Sequence, residues 1–429
     1  MVDLTFWNKE IELASIEQLK RMQLKLLKQQ ISRVYENSKF YRTKFEKSGV
    51  HPSKIRDLDD IQKIPFTTRE DLERNFDEIL PIPLSQVATI HQTSGTSGYP
   101  LTVALTKKDI NDIAEAYARK LTQYHVTSKD LIQITGAYGL WQGAWSVHWG
   151  AEKIGACVIP AGPGETERQI RMIKRFGTTV LYGVTNYHFR ILEVAKQTGE
   201  DLRKTNLRVA ICVAEKPTKH QIDTLKEEIG YEDVMIDYGA TEFPGFSVHC
   251  RSDPSVHHVW ADYYLVETVD PETLEPLGPG ERGELVITSL QREAFPLIRY
   301  LSGDITDFIG FEECDCGLTH PKIGINIDRM DFMVKVRGSL IFPSEIESIL
   351  DDHPELSGQY QLIVDKRTPK QEITLKIEKN AHLSEMQEGL LKYKIVKEAK
   401  ANLAVTINNL VFMPMGSFEG KVKKTLVIS

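Results

Sequence analysis

Long apolar runs are missing from this sequence of 429 residues. No stretch approaches the roughly 18 consecutive apolar side chains of a membrane-spanning helix, so no membrane partner is expected. Cysteine is scarce, with five residues unevenly spaced along the whole chain. That excludes a disulfide framework and points to a reducing compartment. Blocks of one charge are missing too: 53 Lys and Arg are interspersed with 60 Asp and Glu, for a net charge of −7. No nucleic-acid partner is therefore expected. Met1–Glu10 lacks a basic region followed by an apolar run, so it does not read as a secretory leader, and the cytoplasm is the expected location. There is no internal repeat and no low-complexity segment. What is there is an ordinary globular composition, 41% hydrophobic and 26% charged. The chain is too long for one comfortable core, so two or three domains are expected.

Residues 11–37 place Leu13, Ile16, Leu19, Met22, Leu26 and Val34 at helical spacing, which predicts a helix packed on the main body. From about 80 to 330, short apolar runs alternate with helical patterns. Leu131–Ile134, Ala156–Ile159, Val180–Tyr182 and Val209–Val213 read as buried strands, and Glu167–Arg175 and Thr218–Ile229 as helices between them. That alternation predicts an α/β body with a mostly parallel sheet. Tyr263–Thr268 and Gly283–Thr288, flanked by Pro and Gly turns, predict a β-rich subdomain. The last hundred residues read as a strand at Phe332–Arg337, a helix opened by Pro343 with a capping box of Ser344 and Glu347, strands at Tyr360–Val364 and Ile373–Ile377, a helix over 383–402 and a strand at Val405–Phe412. This β-α-β-β-α-β order predicts a small ferredoxin-like C-terminal domain. The expected division is 1–328 and 329–429.

The strongest local signal is Thr93-Ser94-Gly95-Thr96-Ser97-Gly98. Four hydroxyls and two glycines suit neither strand nor helix, but they suit a loop whose N–H and O–H groups wrap phosphate oxygens. No Gly-Lys-Ser/Thr closes it, so it is not a Walker loop. A second signal is Cys314-Asp315-Cys316 at a glycine turn, with Cys250 and His258 upstream. Three thiolates and an imidazole make a closed structural zinc set. Two reduced loop thiols with an unrelated Cys250 is the other reading, and His257 competes with His258. Cys157 and Cys212, in apolar strands, are expected to be inert core residues.

Thr93–Gly98 resembles the phosphate loop of the acyl-adenylate-forming superfamily, and further segments follow in that superfamily's order. Tyr238-Gly239-Ala240-Thr241-Glu242 resembles the motif whose aromatic ring flanks adenine and whose Glu holds magnesium. Arg299-Tyr300-Leu301-Ser302-Gly303-Asp304 resembles the segment whose Asp binds the ribose hydroxyls. Asp328-Arg329-Met330-Asp331 resembles the hinge, and Gly420-Lys421-Val422-Lys423 the segment that presents the catalytic lysine. Pro296-Leu297-Ile298-Arg299-Tyr300, Trp149-Gly150-Ala151-Glu152-Lys153 and Phe342-Pro343-Ser344-Glu345 are similar to the phenylacetate–CoA ligase branch. The similarity runs from about residue 5 to 428.

This resemblance implies an acid–thiol ligase that forms an acyl-adenylate from ATP and a small carboxylic acid, then passes the acyl group to coenzyme A. It implies Lys421, Glu242 and Asp331 as the catalytic set, with ATP and Mg²⁺ held by Thr93–Gly98, Glu215, Asp237–Thr241, Asp304 and Arg329. It implies an acyl pocket from Tyr138, Gly139, Trp141, Ala214, Gly239, Ala240 and Pro244. It also supports structural Zn²⁺ on Cys250, His258, Cys314 and Cys316. A carrier-protein phosphopantetheine or an amine remains open as acceptor, as does a homodimer, and so does a non-catalytic zinc-stabilised nucleotide binder. The chain departs from the pattern at Tyr99, where the loop often has Lys. It departs also at Asp328 and Phe332, and at Lys216, which with Trp141 implies an acid other than phenylacetate.

Overall fold

The computed structural model describes residues 6–93, 100–330, 333–336, 339–365, 367, 372–380, 383–403, 405–418 and 425–428. The chain divides into two compact units, one built from Met1–Lys216, Leu225–Ser302 and Thr306–Ile325, the other from Pro217–Thr224, Gly303–Ile305 and Asn326–Ser429.

Five strands of the first unit form an all-parallel sheet in the spatial order Cys157–Ile159, Leu131–Ile134, Val180–Val184, Val209–Val213, Asp233–Ile236. Helices Gly143–Ile154, Thr166–Phe176, Thr185–Gln197 and Lys219–Ile229 lie in the four crossovers that parallel pairing requires. The inner strands Val180–Val184 and Val209–Val213 carry no charged or amide side chain and are buried at nearly every position, as strands covered on both faces are. Cys157 corrects the sequence reading: it is exposed on the sheet's edge strand, whereas Cys212 on an inner strand is buried. An apolar run alone does not distinguish an edge strand from an inner one. Burial pushes the Cys212 thiol up to about 12.

A second, antiparallel sheet carries Tyr264–Val269, Arg282–Ser289, Tyr300–Gly310, Lys322–Gly324, Val256–Val259 and Ser247–His249 in that order. Helix Ile16–Asn37, opened by a capping box of Ser15 and Gln18, packs on this side of the unit. Its buried face contains two glutamines, and each answers a loop or strand carbonyl: Gln23 donates to Tyr264 O (3.0 Å) and Gln30 to Arg292 O (2.7 Å).

The second unit has a four-stranded sheet ordered Asn409–Met413, Glu372–Lys379, Leu356–Asp365, Thr425–Ile428, with helices Pro343–Asp351 and Glu385–Asn402. The segment read as the opening strand instead forms a separate hairpin, Val334–Val336 with Ser339–Ile341. The sheet takes its fourth strand from Thr425–Ile428, parallel to Leu356–Asp365. Ser344 is not the helix cap. Pro343, with φ already suited to a first turn, starts the helix two residues earlier than a Ser344 cap would, and Phe342 N donates to Glu345 Oε2 (2.9 Å). Ser344 is buried, and its N–H and hydroxyl both donate to the Asp328 carboxylate. Among the described residues no helix is long and apolar enough to cross a membrane.

Candidate active site

Ligands of open parallel sheets gather where the strands end, because the βα loops there present backbone donors and side chains to a common crevice. Most first-unit candidates lie at those carboxyl ends. Tyr138 and Trp141 follow Ile134, Ala214 and Glu215 follow Val213, and the Asp237–Glu242 segment follows Ile236.

The Asp237–Glu242 segment is anchored from below. Asp237 N donates to Cys212 O (2.9 Å), while its carboxylate accepts from Tyr117 Oη (2.8 Å) and Lys120 Nζ (2.7 Å). Burial lowers the Lys120 pKa, and the Asp237 charge opposes that shift. Asp237 thus anchors the stem of the loop through a buried ion pair. Tyr238 stands half-buried, its ring walled by Phe243, Phe246 and His257 at centroid distances of 6.0, 5.7 and 6.1 Å. Glu242 is buried. Its Oε1 accepts from Tyr300 Oη (3.1 Å) and lies 3.8 Å from Arg69 Nη1.

The predicted phosphate loop is held at its neck by a hairpin, Thr89–Gln92 paired antiparallel with Thr102–Leu105. Thr93 N donates to Leu101 O and Leu101 N donates to Thr93 Oγ1, both at 3.0 Å. Ser94, Gly95, Thr96, Ser97 and Gly98 lie outside the described residues, as do Asp331 and Lys421.

Of the acyl-pocket candidates, Tyr138 packs with Trp145 and His148, and Trp141 packs with Tyr182. Tyr138 Oη lies 2.9 Å from His148 Nδ1, whose Nε2 is 3.2 Å from Glu152 Oε1. Trp145 packs edge-on to Tyr138 and donates to its carbonyl (2.6 Å). Burial pushes the Tyr138 phenol above its ordinary value. The Trp141 indole lies over Gly136 and Gly143, where an added Cβ would come within 2.8 and 2.3 Å of the ring. Only glycine fits beneath it at both positions. Ala214 is held at φ +69°, a left-handed conformation that a Cβ-bearing residue adopts at a cost. Glu215 accepts from Asn186 Nδ2 (2.9 Å). Gly139 is open, with nothing near its Cβ direction, and Gly239 lies beneath the Phe243 carbonyl. Pro244 is buried, and its carbonyl accepts from Tyr264 Oη (2.9 Å).

In the second unit, Asp304 and Arg329 are partners. They face each other across an antiparallel pair, and Arg329 Nη1 donates to Asp304 Oδ1 (2.9 Å). Gly303, at φ +74°, leaves room for the guanidinium, which would sit 3.5 Å from any Cβ there.

Away from these groups, Cys250, His258, Cys314 and Cys316 converge until their ligand atoms all lie within 4.8 Å of one another. A tetrahedral site with bonds of about 2.3 Å has ligand separations of about 3.8 Å, so this donor set fits one ion. Cys250 Sγ is 3.5 Å from Cys314 Sγ, and Cys316 Sγ is 3.3 Å from His258 Nε2. His258 Nδ1 lies 3.0 Å from His320 O, the outer hydrogen bond that fixes a ligating imidazole's tautomer. Hydrogen bonding from Cys316 and His258 outweighs burial and holds the Cys250 thiol down to about 3. Burial works against the charged form of His258, but hydrogen bonds to Cys250 and Cys314 raise it to about 9. His257, one residue earlier on the strand, faces the other way: Nδ1 is 3.4 Å from Ser247 Oγ, and burial lowers its pKa far below the usual value.

Sequence reasoning missed Arg69, which donates to Thr93 Oγ1 (3.1 Å) and to Glu73 Oε1 (2.8 Å). It also missed Lys120. Neither lies in a motif, and only the fold brings them to the loops that do.

Comparison with known proteins bears on the same segments. The AMP-binding enzyme family model matches residues 13–291, and the AMP-binding enzyme C-terminal domain model matches 338–428. A phenylacetate-coenzyme A ligase of Thermus thermophilus is 33% identical over 439 aligned positions, covering 97% of this chain and 98% of that protein. The Escherichia coli phenylacetate-coenzyme A ligase is 35% identical, covering 86% and 84%. Among solved structures, 2-hydroxyisobutyryl-CoA ligase with its 2-HIB-AMP adenylate superimposes with a TM-score of 0.86 at 24% identity, covering 100% of this chain and 93% of that one. That likeness extends the acyl-CoA ligase fold to the whole chain.

Proposed function

This chain belongs to the AMP-binding enzyme family, and from that premise we propose an ATP-dependent, AMP-forming acid–coenzyme A ligase that works through an acyl-adenylate. The observation that carries the reading is the buried Glu242, held by Tyr300 and Arg69 beside the half-buried Tyr238 and the neck of the phosphate loop. A carboxylate oxygen of the acid attacks the α-phosphorus of ATP. The α–β bridging P–O bond breaks, and its electron pair leaves with pyrophosphate. Tyr238 offers its ring face to adenine, Asp304 accepts from the ribose hydroxyls, and Glu242 is the carboxylate that would hold Mg²⁺. Bound there, the ion supplies charge neutralisation for the phosphates. Lys421 is the cation for charge that develops in this first half-reaction. The thiolate of coenzyme A then attacks the acyl carbon and expels AMP. Cys250, His258, Cys314 and Cys316 are the proposed holders of a structural zinc ion, since four protein donors leave no open position for a reactant.

Relatives named as phenylacetate-coenzyme A ligases support a small aryl or related acid. The aromatic pairs Tyr138–Trp145 and Trp141–Tyr182 support it as well. ATP–pyrophosphate exchange over aryl, aliphatic, hydroxy and amino acids, with and without coenzyme A, tests the reading. Exchange that depends on one acid class, with thioester formed only when coenzyme A is present, is the expected result. Thioester-free turnover would move the acceptor to a carrier protein or an amine. No acid-dependent exchange across the panel would overturn the ligase itself.

The two half-reactions need different geometries around one site, and Asp331 is the proposed pivot. Asp331→Pro, which fixes φ, is expected to impair thioester formation more than adenylation. Equal loss in both half-reactions would remove Asp331 from that role.

A further inference from the structure

The phosphate-binding loop carries no cation of its own. From Thr93 to Leu101 there is no Lys or Arg, and Tyr99 stands in the interval. ATP brings several negative charges to this loop, and pyrophosphate leaves with them. A side-chain cation near the neck of the loop would face them beside the ion on Glu242.

Arg69 is the one whose geometry answers. Its Nη2 donates to Thr93 Oγ1 (3.1 Å), at the neck of the loop, and its Nη1 lies 3.8 Å from Glu242 Oε1. Nε is spent on Glu73 Oε1 (2.8 Å), which aims the planar fork away from its own helix and toward the loop. The side chain is 30% exposed, so a solute can reach it. Its base is fixed two residues earlier. Thr67 bridges in parallel to Tyr300, with Thr67 N donating to Arg299 O (2.9 Å), Leu301 N to Thr67 O (3.0 Å) and Thr67 Oγ1 to Ile298 O (2.7 Å). Tyr300 in turn donates to Glu242 (3.1 Å). One rigid connection therefore sets Arg69, Glu242 and the loop neck in register.

We infer that Arg69 is the cation that binds the β- and γ-phosphates of ATP and stabilises the departing pyrophosphate, in place of a lysine within the loop. In the absence of nucleotide the guanidinium rests between Thr93 and Glu242. When the triphosphate enters, the fork exchanges a hydroxyl oxygen for phosphate oxygens, a stronger charge-assisted contact. No proton moves to or from Arg69. This inference rests on the ligase reading above.

The two half-reactions separate the roles. Pyrophosphate takes part in the first and is gone before the second. Arg69→Gln is expected to lower kcat/KM for ATP in acid-dependent exchange by roughly 10- to 100-fold, the range for losing a charged hydrogen bond. KM for pyrophosphate in the reverse direction should rise, and thioester formation from supplied acyl-adenylate and coenzyme A should be unchanged. Arg69→Lys should recover part of the loss. Calorimetry with inorganic pyrophosphate provides a readout that does not depend on the acid, and the Gln variant should bind it at least about 10-fold more weakly. An equal fall in both half-reactions, or pyrophosphate affinity untouched by Arg69→Gln, would overturn the inference and leave Arg69 as a structural neutraliser of Glu242. Wild-type protein that binds pyrophosphate through Arg69 yet shows no acid-dependent exchange would instead overturn the ligase reading.

Discussion

Replacing Lys421 by alanine is expected to slow acid-dependent ATP–pyrophosphate exchange by roughly 100- to 1,000-fold, the loss seen when a preorganised group facing developing charge is removed. The reason is electrostatic. Two anions must meet, the acid's carboxylate and the α-phosphate, and the pentacoordinate arrangement between them gathers more charge than either ground state. A cation already in place stabilises that arrangement more than it stabilises the bound substrates, so its loss falls on kcat rather than on KM for the acid. The second half-reaction makes no such demand, because the thiolate attacks an activated acyl carbon whose leaving group is AMP. Thioester formation from a supplied acyl-adenylate should therefore survive in Lys421→Ala. Lys421→Arg keeps the charge on a planar fork instead of a compact ammonium and should fall between the two. Wild-type exchange rates in Lys421→Ala would remove this residue from the mechanism.

The parallel sheet was legible because its inner strands announce themselves: Val209–Val213 is apolar at every position, as a strand covered on both faces must be. The motif at Tyr238–Glu242 was legible because its residues are contiguous. Arg69 was not, since a surface-helix arginine looks the same in sequence whether it faces solvent or, as here, Thr93 and Glu242. The bridge between Thr67 and Tyr300, residues more than two hundred positions apart, is what places it. The same holds for Lys120, whose buried pairing with Asp237 anchors the loop and joins residues more than a hundred positions apart. Thr425–Ile428 was missed because four residues following a lysine-rich stretch give too short a period-2 pattern to read. Ser344 was misread because hydroxyl and carboxylate at capping-box spacing also occur two positions inside the cap, where the hydroxyl has a different acceptor, here Asp328.

The cysteine cluster supports the other large effect. Wild-type protein is expected to purify with about one zinc ion per chain and Cys250→Ser without it, since three remaining donors close the tetrahedron poorly. The variant's melting temperature should fall by about 5–10 °C, a shift that roughly 3–5 kcal/mol gives in a body of this size. The loss is smaller than in a zinc finger, where the ion is nearly the whole core, because here two sheets and their helices bury an interior of their own. Yet it should reach the nucleotide site. An ion on the cluster would tie the strand end after Ser247–His249 to strand Val256–Val259 and to the turn at Cys314–Cys316. On the first two of these elements stand the neighbours of Tyr238: its ring touches Phe246, which leads into the first strand, and His257, which precedes the ligand His258. Freed of the ion, those walls lose their common anchor, so KM for ATP should rise while KM for coenzyme A stays near wild type. Elemental analysis that finds no zinc in the wild-type protein, or a Cys250→Ser variant that melts with it, would end the claim. Zinc loss without any change in KM for ATP would confine the ion to stability alone.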